Sequence, residues 1–313
     1  EIYTLSLHDA LPIFGRENVR AFYDRIGWRL ESDGFYQNAR YEDLRPVSAD
    51  YIHACHLRIT PYFKAGGRIL MDLGCGPIQY PEYLTYSEKF RYRLCCDISL
   101  TALLEARKRI GDHGLFVVGD AANLPFAPET VDGVVSLHTL HHLELPDQRK
   151  AWGEIYRVLK PGGIAAVVNG WTESEMMKRW LPFVRAAERA GGWIARLRGR
   201  AAPVGKKNDP GAKAPCPAKP AAEATGTFVR KLDAGWIRSE LPKVAPDAKI
   251  SIRCWRSVSV RWLRALIHAP YGKAALRRLF RIESEAPEAY GEAGQYPLIL
   301  DRKSTRLNSS HLA

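Results

Sequence analysis

Nine residues, Arg68-Ile69-Leu70-Met71-Asp72-Leu73-Gly74-Cys75-Gly76, constrain this chain more than any other stretch. An apolar run that ends in an acid and a Gly-x-Gly is the pattern of a buried parallel strand stopping in a tight turn. Glycines in such a turn let the backbone approach a ligand closely, because a Cβ would hold the ligand off the amides. The acid selects the ligand. A dinucleotide fingerprint closes with a third glycine or alanine and seats a pyrophosphate on the turn. Here the sixth position is Gln79, and the charge of Asp72, two residues before the first glycine, would repel a phosphate. A carboxylate in that place suits a cation, such as an ammonium group.

Asp72-Leu73-Gly74-Cys75-Gly76 resembles the first motif of the class I S-adenosylmethionine-dependent methyltransferases of the small-molecule type, and three later stretches come in the order such a domain needs. The resemblance implies S-adenosyl-L-methionine as cofactor, with Asp72, Gly74, Cys75 and Gly76 around its methionine part. Arg91 to Cys96 reads as a second buried strand ending in Asp97-Ile98-Ser99. Asp97 lies 21 residues beyond Gly76, near the offset of about 20 at which an acid meets ribose hydroxyls in related folds. A carboxylate accepts two hydrogen bonds at once and so suits a vicinal diol. Its other reading is an acid at the start of the helix Ser99 to Ile110. Ile98 lies beside it as a further cofactor contact.

Leu115 to Val118 reads as a third strand, followed by Gly119-Asp120-Ala121-Ala122-Asn123-Leu124-Pro125-Phe126. This resembles the family's adenine-contacting stretch, which implies Asp120 for the adenine amino group, the Ala121 amide for the ring, and Leu124 and Phe126 as an apolar wall. A turn-stabilising Asp120 is the alternative. Val131 to Ser136 is a fourth strand that leads into Leu137-His138-Thr139-Leu140-His141-His142. Strand ends on this edge of an open α/β sheet bind ligands, so Leu137 is read as a cofactor contact and His138 as a candidate general base. His141 and His142 are read as packing and capping residues. No companion cysteine or carboxylate cluster lies near the histidines, and no metal site is assigned.

A helix from Pro146 to Leu159, a Lys160-Pro161-Gly162-Gly163 stop and a fifth strand from Ile164 to Asn169 complete the regular pattern. Strands alternating with helices make a parallel, doubly wound sheet. The resemblance implies a Rossmann-like, mostly parallel, seven-stranded sheet whose final two strands, Lys249 to Ser257 and Tyr296 to Leu300, form a hairpin at its edge. A helical N-terminal cover spans 14–63, the cofactor-binding core 64–170, a basic helical lid and disordered linker 171–227, and the C-terminal part of the domain, with a helical insertion, 228–300. Segments 1–13 and 301–313 resemble translated sequencing-library adapters and are set aside from fold reasoning.

The formal net charge is +12, concentrated near Lys178 to Lys219. The helical pattern from Thr172 to Arg200 puts Met176, Trp180, Phe183, Val184 and Ala187 on one side and most cations elsewhere, which suits a lid over the site mouth, the preferred reading, or a peripheral site on an anionic membrane. Six cysteines without metal spacing, two of them adjacent in a buried strand, point to a reducing, cytoplasmic setting. The expected activity is methyl transfer to a small, lipophilic acceptor by in-line displacement. A nucleic-acid methyltransferase is one alternative, suggested by the charge. Against it, Ser136-Leu137-His138-Thr139 stands where an Asn/Asp-Pro-Pro-aromatic stretch belongs, and no cysteine nucleophile comes after that strand. A catalytically idle module that binds membrane or a partner is the other, and no obligate protein partner is evident.

Overall fold

The computed structural model describes residues 2–4, 20, 24, 28, 42–197 and 229–305. Its strands are β1 (Ile2–Thr4), β2 (Gly67–Leu73), β3 (Phe90–Asp97), β4 (Gly114–Val118), β5 (Val131–Leu137), β6 (Leu159–Val168), β7 (Ala248–Arg256) and β8 (Tyr296–Lys303). They form one sheet in the order β1-β4-β3-β2-β5-β6-β8-β7. The first six in space run parallel, and β8 pairs antiparallel with both β6 and β7. Apart from the three-residue β1, this is the Rossmann-like seven-stranded sheet. The order reverses at β2 and β5, which is the switch point where such sheets open a crevice.

Period-two alternation distributes the apolar side chains to two faces. Met71 and Leu73 of β2, Val134 of β5 and Ala165 and Val167 of β6 pack under Trp152 and Ile155 on one side. Leu70, Cys95, Val135 and Ala166 pack with Phe63, Tyr86 and Leu103 on the other. Cys95 and Cys96 therefore project to opposite faces, and both are free thiols.

Helices α1 (Ala49–Leu57), α2 (Leu100–Ile110), α3 (Leu145–Val158), α4 (Glu175–Leu197), α5 (Ala234–Val244), α6 (Val260–Leu266), α7 (Gly272–Glu285) and α8 (Pro287–Ala293) surround the sheet. A third apolar cluster joins the N-terminal part to the C-terminal insertion, with Tyr51, Ile52 and Cys55 of α1 against Val184 of α4, Trp262 and Leu263 of α6 and Leu276 of α7. Glu283, fully buried, accepts from Tyr51 Oη (2.8 Å), Arg58 Nη2 (2.9 Å) and the Ser257 amide (2.8 Å), so its charge is paired and hydrogen-bonded as a buried carboxylate requires. None of the described helices is long and apolar enough to cross a membrane.

Several boundaries differ from the sequence reading. The Lys160-Pro161-Gly162-Gly163 stop lies inside β6. Val131 pairs with Leu159 and Gly133 with Ile164, so these residues bulge out of the ladder while the strand continues on both sides. Ser48 stands at the start of α1, but its hydroxyl donates to Asp43 Oδ2 (2.6 Å) and leaves the helix amides uncapped. The last strand extends three residues past Leu300, and β1 pairs with β4. Both segments set aside as adapter-like thus supply backbone to the sheet, because ladder bonds are made by main-chain groups whatever the side chains are. Of the expected N-terminal cover, residues 14–41 other than 20, 24 and 28, and of the expected lid and linker, residues 198–227, lie outside the described residues.

Candidate active site

The cavity opens at the carboxyl edge of the sheet, between the ends of β2 and β5. Gly74 and Gly76 hold φ of +69° and +54°. A Cβ on Gly74 would come within 2.2 Å of the Thr139 side chain, and one on Gly76 within 3.0 Å of the Trp28 ring. The turn is therefore glycine on two grounds, conformation and space. It leads into a 3-10 segment, Pro81–Ser87, not an α-helix, so no helix dipole is aimed at the turn to attract a pyrophosphate. Cys75 lines the cavity as a neutral thiol, held well above its ordinary pKa by burial.

Asp72 is 4% exposed and paired with Arg93, which is 1% exposed. Arg93 donates both Nε (3.0 Å) and Nη2 to the same oxygen, Oδ2, and sends Nη1 to the Tyr83 carbonyl (2.5 Å). Asp72 Oδ1 accepts no hydrogen bond among the described residues, while the side chain lines the cavity. The acid thus has one oxygen committed to the fold and one left for a cationic donor.

At the end of β3, Asp97 Oδ2 accepts from the Gly76 amide (2.9 Å) and Oδ1 from the Ser99 amide (2.8 Å). Ser99 is the cap of α2, accepting from the Ala102 amide (3.1 Å). Burial pushes the Asp97 carboxyl up to about 6 against the pull of its two amide donors. Each oxygen keeps lone-pair capacity for one arm of a diol. Ile98 lies on the wall beside it. After β4, Asp120 Oδ1 accepts from the Ala122 amide (2.9 Å), closing a turn, and Asp120 and Ala121 both line the cavity. The turn role and a place on the cavity wall coexist. Leu124 is placed differently from the sequence reading: it is buried in the core cluster, with Phe126 packed against that cluster, and neither lines the cavity. The aliphatic wall comes from Ile98, Leu137 and Leu143 instead.

His138 stands just past β5 with φ of +55°, rare for a residue with a Cβ, and its amide donates to the Val168 carbonyl (2.7 Å). Its ring lies 5.2 Å from Trp255 and 5.5 Å from Tyr296, both edge-on. Behind Trp255 the ring of His56 stacks at 5.5 Å and touches Tyr80 and Tyr83. Burial holds the His138 imidazole well below 6.5, assisted by the Arg256 and Lys231 charges nearby, so the ring is neutral at physiological pH. His141 bonds Asn169 Oδ1 (3.2 Å) and is lowered to about 3, mainly by burial. His142 lines the cavity and is more than the packing residue expected from sequence.

Sequence reasoning missed Trp28, Gln79, Tyr83 and Thr139, all on the cavity wall. Only Thr139 carried a usable signal, its place directly after His138 at a strand end. Among the described residues no group of three metal-ligating side chains is assembled. The residues present fit S-adenosylmethionine: a cradle a Cβ would fill, an unengaged Asp72 oxygen, two amide-oriented acids and an Ala121 amide without a partner among the described residues.

Residues 71–167 match the family described as a methyltransferase domain. The chain is 30% identical over 159 residues to tRNA (carboxymethyluridine(34)-5-O)-methyltransferase of Arabidopsis thaliana, a match covering 44% of this chain and 37% of that protein. It is 34% identical over 143 residues to phthiotriol/phenolphthiotriol dimycocerosates methyltransferase of Mycobacterium tuberculosis, covering 44% of this chain and 50% of that protein. The chain thus spans half or less of the length of these relatives. Among solved structures, phosphoethanolamine N-methyltransferase 1 of Haemonchus contortus, in complex with phosphoethanolamine and S-adenosylhomocysteine, aligns with a TM-score of 0.52 at 11% identity, over 94% of this chain and 50% of that one, and shares the fold. Residues 71–167 thus carry a methyltransferase domain, the sheet and the cavity accord with that domain, and S-adenosylmethionine is the cofactor that the residues of the cavity fit.

Proposed function

We propose that this chain methylates a small, lipophilic acceptor by in-line displacement. The observation that carries the reading is that Asp72, Asp97, Asp120 and His138, from four different strand ends, face one cavity. In this reading Asp72 Oδ1 and the Gly74-Cys75-Gly76 turn hold the amino-acid end of the cofactor, Asp97 holds the ribose diol, and Asp120 with the Ala121 amide holds the adenine edge. Ile98 and Leu137 flank the rings. S-adenosylmethionine supplies a methyl group already activated on a cationic sulfur, so alignment accounts for much of the rate. His138, neutral and fixed by a strained backbone, is aimed at the acceptor side. It orients an acceptor hydroxyl or amine and takes its proton, and the rings of Trp255 and Tyr296 behind it fix the imidazole edge-on. Five free, buried cysteines among the described residues support a reducing compartment, the cytoplasm.

Calorimetric titration with S-adenosylhomocysteine, and separately with NAD, tests the cofactor assignment: tight binding of the first and none of the second is expected. A panel of radiolabelled methyl-transfer assays then includes lipophilic phenols, amines and unmodified tRNA. Transfer to tRNA alone would favour the nucleic-acid reading, which the name of the Arabidopsis relative brings forward. Cofactor binding without transfer to any class would favour an idle module.

A further inference from the structure

Helix α4 is apolar over more of its surface than the fold uses. Val184 is 4% exposed and packs with Met176 and Met177 into the cluster formed by α1, α6 and α7. Outside that cluster, Phe183 is 61% exposed, Trp193 64% and Ile194 43%, while Trp180, at the cluster's rim, is 37% exposed. At 100° per residue, Phe183, Ala190 and Ile194 fall on one line, with Trp180 and Trp193 on its two flanks. They form one largely aromatic stripe along the helix from Trp180 to Ile194. Trp180 is braced from beneath by an edge contact with Trp262 of α6 (5.7 Å) and lies against Phe183 (5.5 Å).

The unpaired charges around the stripe are of one sign. Arg179 lies within it, and Arg189 and then Arg185 continue the surface beyond Trp193. Arg179 and Arg189 form no ion pair among the described residues, whereas acids of the helix are engaged: Glu188 holds Arg261 (2.7 Å) and Glu175 holds Lys178 (3.0 Å). No residue of α4 lines the cavity, so the helix does not act as its wall. It nonetheless leaves from the same edge of the sheet, seven residues after Val168, whose carbonyl accepts the His138 amide.

We infer that α4 docks the protein on an anionic membrane surface, with Phe183, Trp193, Ile194 and Trp180 entering the acyl boundary and Arg179, Arg185 and Arg189 meeting headgroup phosphates. Aromatic residues on an otherwise polar, cationic helix are the composition of an in-plane membrane helix, and tryptophan favours the headgroup level. A second copy of this chain is a poorer occupant, because pairing the face with itself would set arginines against arginines. Membrane docking of this kind requires no methyl transfer.

Sedimentation of the full chain with vesicles tests it. Binding is expected to mixed phosphatidylglycerol and phosphatidylcholine vesicles, weak binding to phosphatidylcholine alone, and loss of binding as salt is raised. Tryptophan emission is expected to shift to the blue on binding. Phe183→Ser with Trp193→Ser should lower the vesicle affinity by about tenfold or more, and Arg179→Gln with Arg189→Gln by about tenfold while flattening the salt dependence. All four side chains are exposed, so circular dichroism should match the wild type. No binding to anionic vesicles would overturn the inference, as would full binding by both double variants. Concentration-dependent dimers that the Phe183/Trp193 variant abolishes, without vesicle binding by the wild type, would assign the face to a second copy.

Discussion

Arg93 takes one oxygen of Asp72 and leaves the other to the cavity. The two residues meet diagonally across neighbouring parallel strands, Asp72 opposite Cys95 and Arg93 opposite Leu70. The acid that the sequence marks as a ligand for a cation is therefore also the counter-ion of a buried guanidinium, and a mutation there has two consequences. Asp72→Asn keeps the shape of the side chain but leaves Arg93 without its counter-ion. Removing one partner of a buried ion pair costs about 3–5 kcal/mol, because the other charge is left without compensation.

Asp72→Asn is predicted to lower both stability and affinity for S-adenosylhomocysteine. Asp72→Asn with Arg93→Met removes both charges and should recover most of the stability, since apolar replacement of a buried pair is often close to neutral. The double variant should still bind the cofactor about tenfold or more weakly. Denaturant melts and calorimetry on the three proteins separate the effects. Recovery of affinity along with stability would assign Asp72 a purely structural role.

Asp97 gives a pH prediction. Its folded-state pKa is raised to about 6, so the free protein carries a neutral carboxyl below that value. A ligand diol that donates to the ionised form must then expel a proton, and affinity for S-adenosylhomocysteine should fall by up to about tenfold per pH unit below 6 and be level above it. Asp97→Asn should bind more weakly at pH 8, by about 1.5–3 kcal/mol, and lose the pH dependence. An unchanged pH profile in the variant would remove Asp97 from the ribose site.

His138 titrates well below 6.5 and stays neutral from pH 6 to 8. Turnover should accordingly show no His138 inflection in that window. His138→Asn keeps a residue type that tolerates positive φ. It should leave S-adenosylhomocysteine affinity within about twofold and lower the turnover rate by about 10²–10⁴-fold, the usual range for a lost general base. A rate within threefold of wild type, measured at saturating acceptor, would make His138 a wall residue only.

Asp301 is 1% exposed, with both carboxylate oxygens buried and unpartnered. Burial raises its pKa to about 6, with the nearby Lys303 charge pulling the other way. Because the folded-state value lies above the unfolded 3.8, the folded protein binds this proton more tightly. Its ionised form opposes folding above pH 6, by about 3 kcal/mol, and that penalty fades as the pH falls toward 4. Asp301→Val should therefore stabilise the chain at pH 8 and much less at pH 4.5, as read by urea denaturation. Equal gains at both pH values would show packing, not charge, at work.

The make-up of the cavity was legible along the chain because each acid on its wall lies at or just past the end of a short apolar strand, and parallel strands place their carboxyl ends on one edge. Asp72, Asp97, Asp120 and the histidines after β5 are located by that rule alone. The glycines were legible for the same reason, since a turn that approaches a ligand has no room for a Cβ. Boundaries were read less well where a bulge replaced a stop, as at Lys160 to Gly163, because proline and glycine signal an irregularity without saying whether the strand resumes.

Residues brought in from distant elements were decided only by the tertiary structure. Trp28 and Tyr83 reach the cavity across the sheet edge, Arg93 finds Asp72 by register between two strands, and Trp255 and Tyr296 stand behind His138 because β7 and β8 fold back antiparallel. Helix α4 shows the same division. The sequence determined that it is amphipathic and basic, but which of its apolar sides is buried depends on where α1, α6 and α7 pack, and that packing leaves Phe183 and Trp193 facing solvent. Backbone preference and side-chain period are properties of neighbours in the chain, whereas burial and pairing are properties of neighbours in space.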